Sequence, residues 1–318
     1  MAELVAAVPS LLAADQADQH YADAVRTAVA ACAEDTAGQT CYICYGEGDE
    51  DEGLVRGCSC RGENGFAHVS CLARQAQVAV ERRSGPRFLR WYICGLCEQR
   101  YHGVARCALG WACWKTYVGR PEADETRKMA MTQLGNGLSS AGNNEDALSV
   151  KEAQLAMMRR LGAPEDQMLM VQSNLANSYQ VLGRLEEALQ LERDVYSGYL
   201  RLKGERDEET LIAANNHANL LILKHFEEAK ALIRNTIPVA RRVLGEGHRL
   251  TLKMKKIYAE VSYKNPDATL DDLREAVMTL EDAEPRAQRV FGSAHPLVEG
   301  IGISLRTARE TLAARETS

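Results

Sequence analysis

The chain has 318 residues, with 38 basic and 44 acidic side chains, a formal net charge of −6, 46% hydrophobic residues and only 8 prolines. That apolar content excludes a disordered or collagen-like chain, and the length suits about two domains at roughly 150 residues each. The acidic balance offers no global attraction to nucleic acid or anionic lipid. No run reaches the ~18 uncharged apolar residues of a membrane span either; residues 103–118 come nearest, and Arg106 and Lys115 interrupt them. No basic region precedes an apolar stretch after Met1, so the sequence predicts a soluble protein of the cytoplasm or nucleus, with no membrane span and no nucleic acid as partner.

The first segment, residues 1–36, contains apolar side chains at helical spacing (Tyr21, Val25, Ala28, Cys32), which predicts an amphipathic helix over 12–34 with no partner named by the sequence. Cysteine dominates the next stretch. Of ten cysteines, seven fall between positions 41 and 97; only Cys32, Cys107 and Cys113 lie outside. In a reducing compartment such clustering points to metal-bound thiolates rather than disulfides. The ligand types come in four pairs: Cys41-x-x-Cys44, Cys58-x-Cys60, His68-x-x-Cys71 and Cys94-x-x-Cys97, separated by thirteen, seven and twenty-two residues. A short turn aims two donors to the same side, and Zn²⁺ takes four N or S ligands, so eight donors predict two Zn²⁺ ions. Sequential and interleaved pairings of these four motifs both remain open on spacing alone. Filled Cys₄ and Cys₃His sites have no open position, which argues against metal-assisted hydrolysis.

The order C4HC3, with one residue inside the second pair and seven before the histidine, resembles the RING-CH (RING-variant) zinc finger. The ending Cys94-Gly95-Leu96-Cys97 followed by Tyr101 is similar as well. The resemblance implies a cross-brace in residues 37–103, with Cys41, Cys44, His68 and Cys71 on one zinc and Cys58, Cys60, Cys94 and Cys97 on the other. It also implies ubiquitin-ligase activity without a covalent catalytic residue, in which the domain binds a ubiquitin-charged E2 and Ile43 contacts it. Two positions depart from the family pattern: Gln75 stands where a groove tryptophan is common, and Glu98 where a cation is common, with Arg100 nearby. The histone-reading PHD finger shares the C4HC3 order, and Tyr92 matches its aromatic. A PHD-like reader and a non-catalytic zinc scaffold are therefore the alternatives to the ligase.

Other features read more plainly. The acidic run Glu47, Asp49, Glu50, Asp51 and Glu52 predicts a solvated loop, and Arg82, Arg83, Arg87 and Arg90 a solvated basic surface without interleaved aromatics. Cys107 and Cys113 read as packing residues in a connecting segment, 104–123.

Beyond residues 119–121 cysteine vanishes and a repeat begins, predicting an α-solenoid over 124–318. Leu138, Gly142, Glu145, Asp146 and Ala147 recur as Tyr179, Gly183, Glu186, Glu187 and Ala188, then as Leu220, Glu227, Glu228 and Ala229. Gly162, Gly204, Gly245 and Gly292 end four units, the last lengthened by an insertion at 265–271. Each unit reads as two helices and a turn, with Ala176, Ala218 and Ala259 on first helices and Ala147, Ala188, Ala229 and Ala276 on second helices permitting close approach. One pair cannot bury its apolar face; a stack can. The order Asn174-Leu175-Ala176, Tyr179, Gly183, Glu187-Ala188-Leu189 resembles the tetratricopeptide repeat in its kinesin-light-chain form, as do the glycine-histidine ends at 244–248 and 291–296. HEAT repeats share the period. The tetratricopeptide likeness implies a groove that binds a peptide of a protein substrate, with Asn174, Asn177, Asn216 and Asn219 as contacts. The predicted fold class is thus mostly α: a small two-zinc module followed by helix-turn-helix repeats.

Overall fold

The structure is a computed structural model and describes residues 11–48, 52–82, 88–293 and 295–317; Asp49, Glu50, Asp51, Arg83 and Arg87 lie outside the described residues. The chain forms two compact units, residues 1–182 and 183–318.

In the first unit, helix α1 (Ala14–Thr36) precedes a two-stranded antiparallel ribbon, β1 (Leu54–Val55) and β2 (Ala67–His68), with Leu54 opposite His68 and Val55 opposite Ala67. Helix α2 (Val69–Glu81) follows directly, then a 3₁₀ turn (Leu89–Trp91) and helix α3 (Gly103–Tyr117). Three repeat helices complete the unit: α4 (Glu125–Ser140), α5 (Asn144–Arg160) and α6 (Glu165–Val181). The partner of α1 is now visible. Its apolar stripe (Tyr21, Val25, Ala28, Cys32) joins a core that also contains Leu54, Val55, Phe66, Leu72, Tyr101 and Ala105. Fit is close: a Cβ on Gly53 would stand 2.2 Å from Val29 Cγ1, and one on Gly57 2.3 Å from the Ala105 Cβ. His20 stacks on Trp111 at 4.6 Å, and Lys115 Nζ pairs with Asp18 at 2.7 Å.

Helix α3 is apolar nearly all round, with Cys107, Leu109, Trp111, Cys113 and Trp114 buried, because it is packed on both sides. One side meets α1 and α2, and the other lies along α4. The α3–α4 crossing runs through glycines. A Cβ on Gly137 would stand 2.9 Å from the Arg106 carbonyl oxygen, and one on Gly110 would stand 3.0 Å from that of Gln133. Helix α3 and the first repeat helices thus lie on either side of the change of composition at residues 119–121 and share one compact unit.

The second unit contains α7 (Leu185–Lys203), α8 (Glu208–Leu221), α9 (Phe226–Leu244), α10 (Arg249–Lys264), α11 (Leu270–Phe291) and α12 (Pro296–Glu316). The periodic glycines are helix ends: Gly204, Gly245 and Gly292 terminate α7, α9 and α11 with φ of 81°, 96° and 79°, a region open to glycine without Cβ strain. The periodic histidines are helix starts: His248 and His295 accept the Leu250 and Leu297 amides at Nδ1 (3.3 and 3.1 Å), satisfying orphan donors. The insertion at 265–271 holds a capping box, Thr269 with Asp272. Ala188, Ala229, Ala259 and Ala276 are fully buried, as close helix approach requires. Helix α12 closes the unit by laying Leu297, Ile301, Leu305 and Ala308 on Leu252, Ala259 and Leu280.

One buried charge stands out in the first unit. Lys151 on α5 is 4% exposed, and its Nζ donates to the Ser139 and Ser178 hydroxyls at 2.9 and 2.7 Å. Burial lowers its pKa to about 8. Between about pH 8 and 10.5 the unfolded chain holds a proton here that the native state has lost, so this residue makes stability rise with pH across that window. Lys151→Met should flatten that rise, which is on the order of 3 kcal/mol for a shift of this size; urea unfolding at pH 8 and pH 10 checks it, and identical pH slopes for both proteins would refute it. A second outcome concerns the helix crossing. Propensity alone favours Gly137→Ala by up to ~1 kcal/mol, whereas the forced contact costs ~1–3 kcal/mol. We expect a net loss, read as a lower urea midpoint; a higher one would mean that the glycines are dispensable.

Candidate metal centre

Two donor sets form in the first unit: Cys41, Cys44, His68 and Cys71, and Cys58, Cys60, Cys94 and Cys97, with the ligand atoms within each set all inside 4.8 Å of one another. The first pair thus joins the third and the second joins the fourth, so the interleaved arrangement is the one adopted. The ribbon explains how. Pairing Leu54–Val55 with Ala67–His68 carries His68 back toward the first cysteine pair, while the chain between the strands presents Cys58 and Cys60 on the opposite course.

The two Cys-x-x-Cys turns are built alike. Cys41 N donates to the Gly46 carbonyl and Cys94 N to that of Gln99; Tyr45 N returns to Cys41 O and Glu98 N to Cys94 O. The residue after each second cysteine, Tyr45 (φ 63°) or Glu98 (φ 55°), takes the left-handed conformation that reverses the chain. The bridges Thr40–Glu47 and Ile93–Arg100 close the two turns at equivalent positions. Amides then point at sulfur: Ile43 N at Cys41 Sγ, Gly46 N at Cys44 Sγ and Leu96 N at Cys94 Sγ, each at 3.4 Å.

Electrostatics show what the sets lack. Burial opposes ionisation at Cys41, yet the amides of Cys44, His68 and Ile43 outweigh it and bring the thiol down to about 7. Cys94 is likewise lowered against its burial by the Cys97 and Leu96 amides. Their neighbours go the other way: burial, then crowding by the remaining sulfurs, pushes Cys71 up to about 12 and Cys60 to about 11, and Cys58 is raised too. Protein groups alone cannot ionise all the thiols together, and a bound dication supplies the missing charge. The donor chemistry fits zinc. A tetrahedron with Zn–S bonds of about 2.3 Å has edges of about 3.8 Å, and Cys60 Sγ and Cys94 Sγ are 3.8 Å apart. His68 turns Nδ1 toward Cys44 Sγ (3.3 Å) and Cys71 Sγ (3.7 Å), while Nε2 donates to the Glu47 carbonyl at 3.1 Å, a second contact that selects the tautomer. Two zinc ions are accommodated, one per set.

Ile43 is half-buried and packs against the module core rather than standing free. Next to it opens a groove of about 320 Å³ lined by Tyr42, Gln75, Val78, Ala79, Arg82, Arg90, Gly95 and Leu96. Leu96, between the last two ligands, is 49% exposed. Sequence reasoning passed over Leu96, Tyr42 and the pairing of Arg82 with Arg90 on one groove; the signal for Leu96 was its place between two cysteines, equivalent to Ile43. Glu98 and Arg100 are exposed, and the Arg100 guanidinium lies 5.9 Å from the Tyr92 ring centre. Asn174 and Asn177 stand on α6 in the first unit, the former half-buried and the latter exposed; Asn216 and Asn219 repeat that pattern on α8 in the second. Asn215, on the same helix, is buried and belongs to the packing.

Gly65 is needed at the second set. Its φ is +88°, and a Cβ there would stand 2.5 Å from the Cys60 Cβ and 3.0 Å from its Sγ. Gly65→Ala should therefore lower the zinc content of purified protein from two ions toward one, whereas Gly62→Ala, at φ +62° but facing open space, should keep two. Elemental analysis decides, and equal content in both variants would contradict the geometry.

Comparison with known proteins agrees with the local structure. The RING-variant domain model matches residues 41–97, and a tetratricopeptide repeat model matches residues 168–207. No curated protein matches the sequence significantly. Among solved structures, BtubC (BKLC) from P. vanneervenii is 16% identical, aligns over 77% of this chain and 84% of its own, and has a TM-score of 0.51. The nearly identical TPR-like repeats assigned to a kinesin light chain of Podosopora anserina are 16% identical over 70% of this chain and 96% of theirs, with a TM-score of 0.47. Such identities speak to fold alone. No helix among the described residues is long and apolar enough to cross a membrane. Residues 41–97 are a RING-variant domain built around two zinc-type donor sets, and the chain beyond them carries tetratricopeptide repeats.

Proposed function

We propose that this protein is a RING-type ubiquitin ligase that acts by positioning. What carries the reading is the RING-variant match at 41–97 together with a groove lined by Tyr42, Gln75, Val78, Ala79 and Leu96 beside the second Cys-x-x-Cys turn. The cysteines of the module are all committed to closed donor sets, so none serves as a nucleophile. The bond-making is the partner's: a substrate lysine amine attacks the thioester carbon of ubiquitin on the E2, and the E2 thiolate leaves. The ligase contributes orientation, which raises effective concentration without forming any bond itself. In this reading the groove and Ile43 hold the E2. The repeats recruit the substrate as a peptide, with Asn174 and Asn177 as the candidate contacts of the first unit and Asn216 and Asn219 as those of the second. The action belongs to the cytoplasm or nucleus.

One observation favours a second reading. Gln75 puts a carboxamide into the groove where a flat apolar ring would hold an E2 loop, which suits a zinc scaffold without E2 activity. The two readings part in one experiment. Zinc-replete protein is incubated with E1, a panel of E2 enzymes, ubiquitin and ATP. Ubiquitin chains should form with at least one E2, and Leu96→Ala and Ile43→Ala should each lower the rate about tenfold or more at unchanged zinc content, as loss of a buried interface anchor does. Silence across the panel would leave the scaffold standing.

A further inference from the structure

The groove beside the second Cys-x-x-Cys turn has a charge as well as a shape. We infer that it selects E2 enzymes whose docking loop presents a carboxylate next to its apolar anchor. The inference rests on the ligase reading and names the partner class of that site.

Gln75, Val78, Ala79 and Arg82 follow helical i, i+3, i+4, i+7 spacing, so α2 and the residue ending it present one continuous face to the groove. Val78, Ala79, Leu96 and the Tyr42 ring make its apolar part. The polar part is all donor or amide. Arg90 is held at one end, its Nη1 donating to the Cys94 carbonyl at 3.3 Å, while Arg82 is exposed at the end of α2. A Cβ on Gly95 would stand 3.6 Å from Gln75 Oε1 and 3.9 Å from Arg90 Nη1, so the two polar heads converge over that bare glycine in the groove wall. No carboxylate lines the groove, and among the described residues neither arginine is paired with one. In a chain of net charge −6, many of whose basic side chains find acids nearby, two guanidiniums without a carboxylate partner flanking an apolar floor form a site for an anion carried on an apolar segment. A tryptophan at position 75 would fill that space with a neutral ring. Gln75 leaves it open and can donate a hydrogen bond to the incoming carboxylate.

The test uses the zinc-loaded full chain, titrated by calorimetry with E2 enzymes free of ubiquitin, grouped by whether the docking loop contains Asp or Glu. Acid-bearing E2s should bind at least about fivefold more tightly, with an advantage that shrinks in high salt, as expected for a partly exposed charge pair. Arg82→Glu should erase that preference, and replacing the E2 acid with lysine should restore binding to Arg82→Glu protein. Gln75→Trp should move the preference to E2s with wholly apolar loops. E2 binding that ignores the loop charge, or that Arg82→Glu leaves unchanged, overturns the inference while sparing the ligase reading. Failure of every E2 to bind protein with two zinc ions and an unaltered helical spectrum overturns both.

Discussion

Interleaving is the constraint on which the first unit depends. The first set joins a pair that precedes the ribbon to a pair that begins in β2, and the second joins the loop between the strands to a turn beyond α2, with the β1–β2 pairing bringing His68 back to Cys44. The zinc module's own core is thin, and its buried thiols resist ionisation without a cation. Coordination, worth on the order of 10 kcal/mol per structural zinc, therefore couples directly to folding of the surrounding turns. Everything that makes the groove, from α2 to the Cys94–Cys97 turn, is anchored to these eight atoms.

The module does not end at its last ligand. Helices α1 and α3 continue its core, and α3 packs on the first repeats through a glycine-to-glycine crossing where an added Cβ would force the backbones apart. A helix buried on two sides transmits position in a way that a polar linker does not. The zinc module and the helices α4 to α6 share a single packed unit, which contains both the groove and the first pair of repeat asparagines.

The repeat helices show how far local chemistry carries an architecture. Glycine ending α7, α9 and α11, Asp207, His248 and His295 capping the helices that follow, and buried alanines between paired helices recur because each answers a local backbone or steric demand that returns along the stack. Lys151 breaks the pattern. Its ammonium is held between two serine hydroxyls, and among the described residues no carboxylate pairs with it.

Ligand identity, repeat period and helix ends were legible in the chain itself, because zinc donors, αL glycines and capping side chains act within a few residues of where they stand. The spacing of Cys41 to Cys97 announced two metals, and the steps between Gly162, Gly204 and Gly245 announced the helix pairs. Spacing alone left the pairing of the donor motifs open; the RING-CH resemblance implied the interleaved sets, and the folded chain adopts them. Two matters required the folded chain, both of them contacts between distant segments. The burial of α1 and α3 in one core with the zinc module turned an apparent connecting segment into a structural beam. The groove gathered Tyr42, Gln75, Arg82, Arg90 and Leu96 from three separate stretches, and no periodicity along one strand of sequence records where such stretches meet.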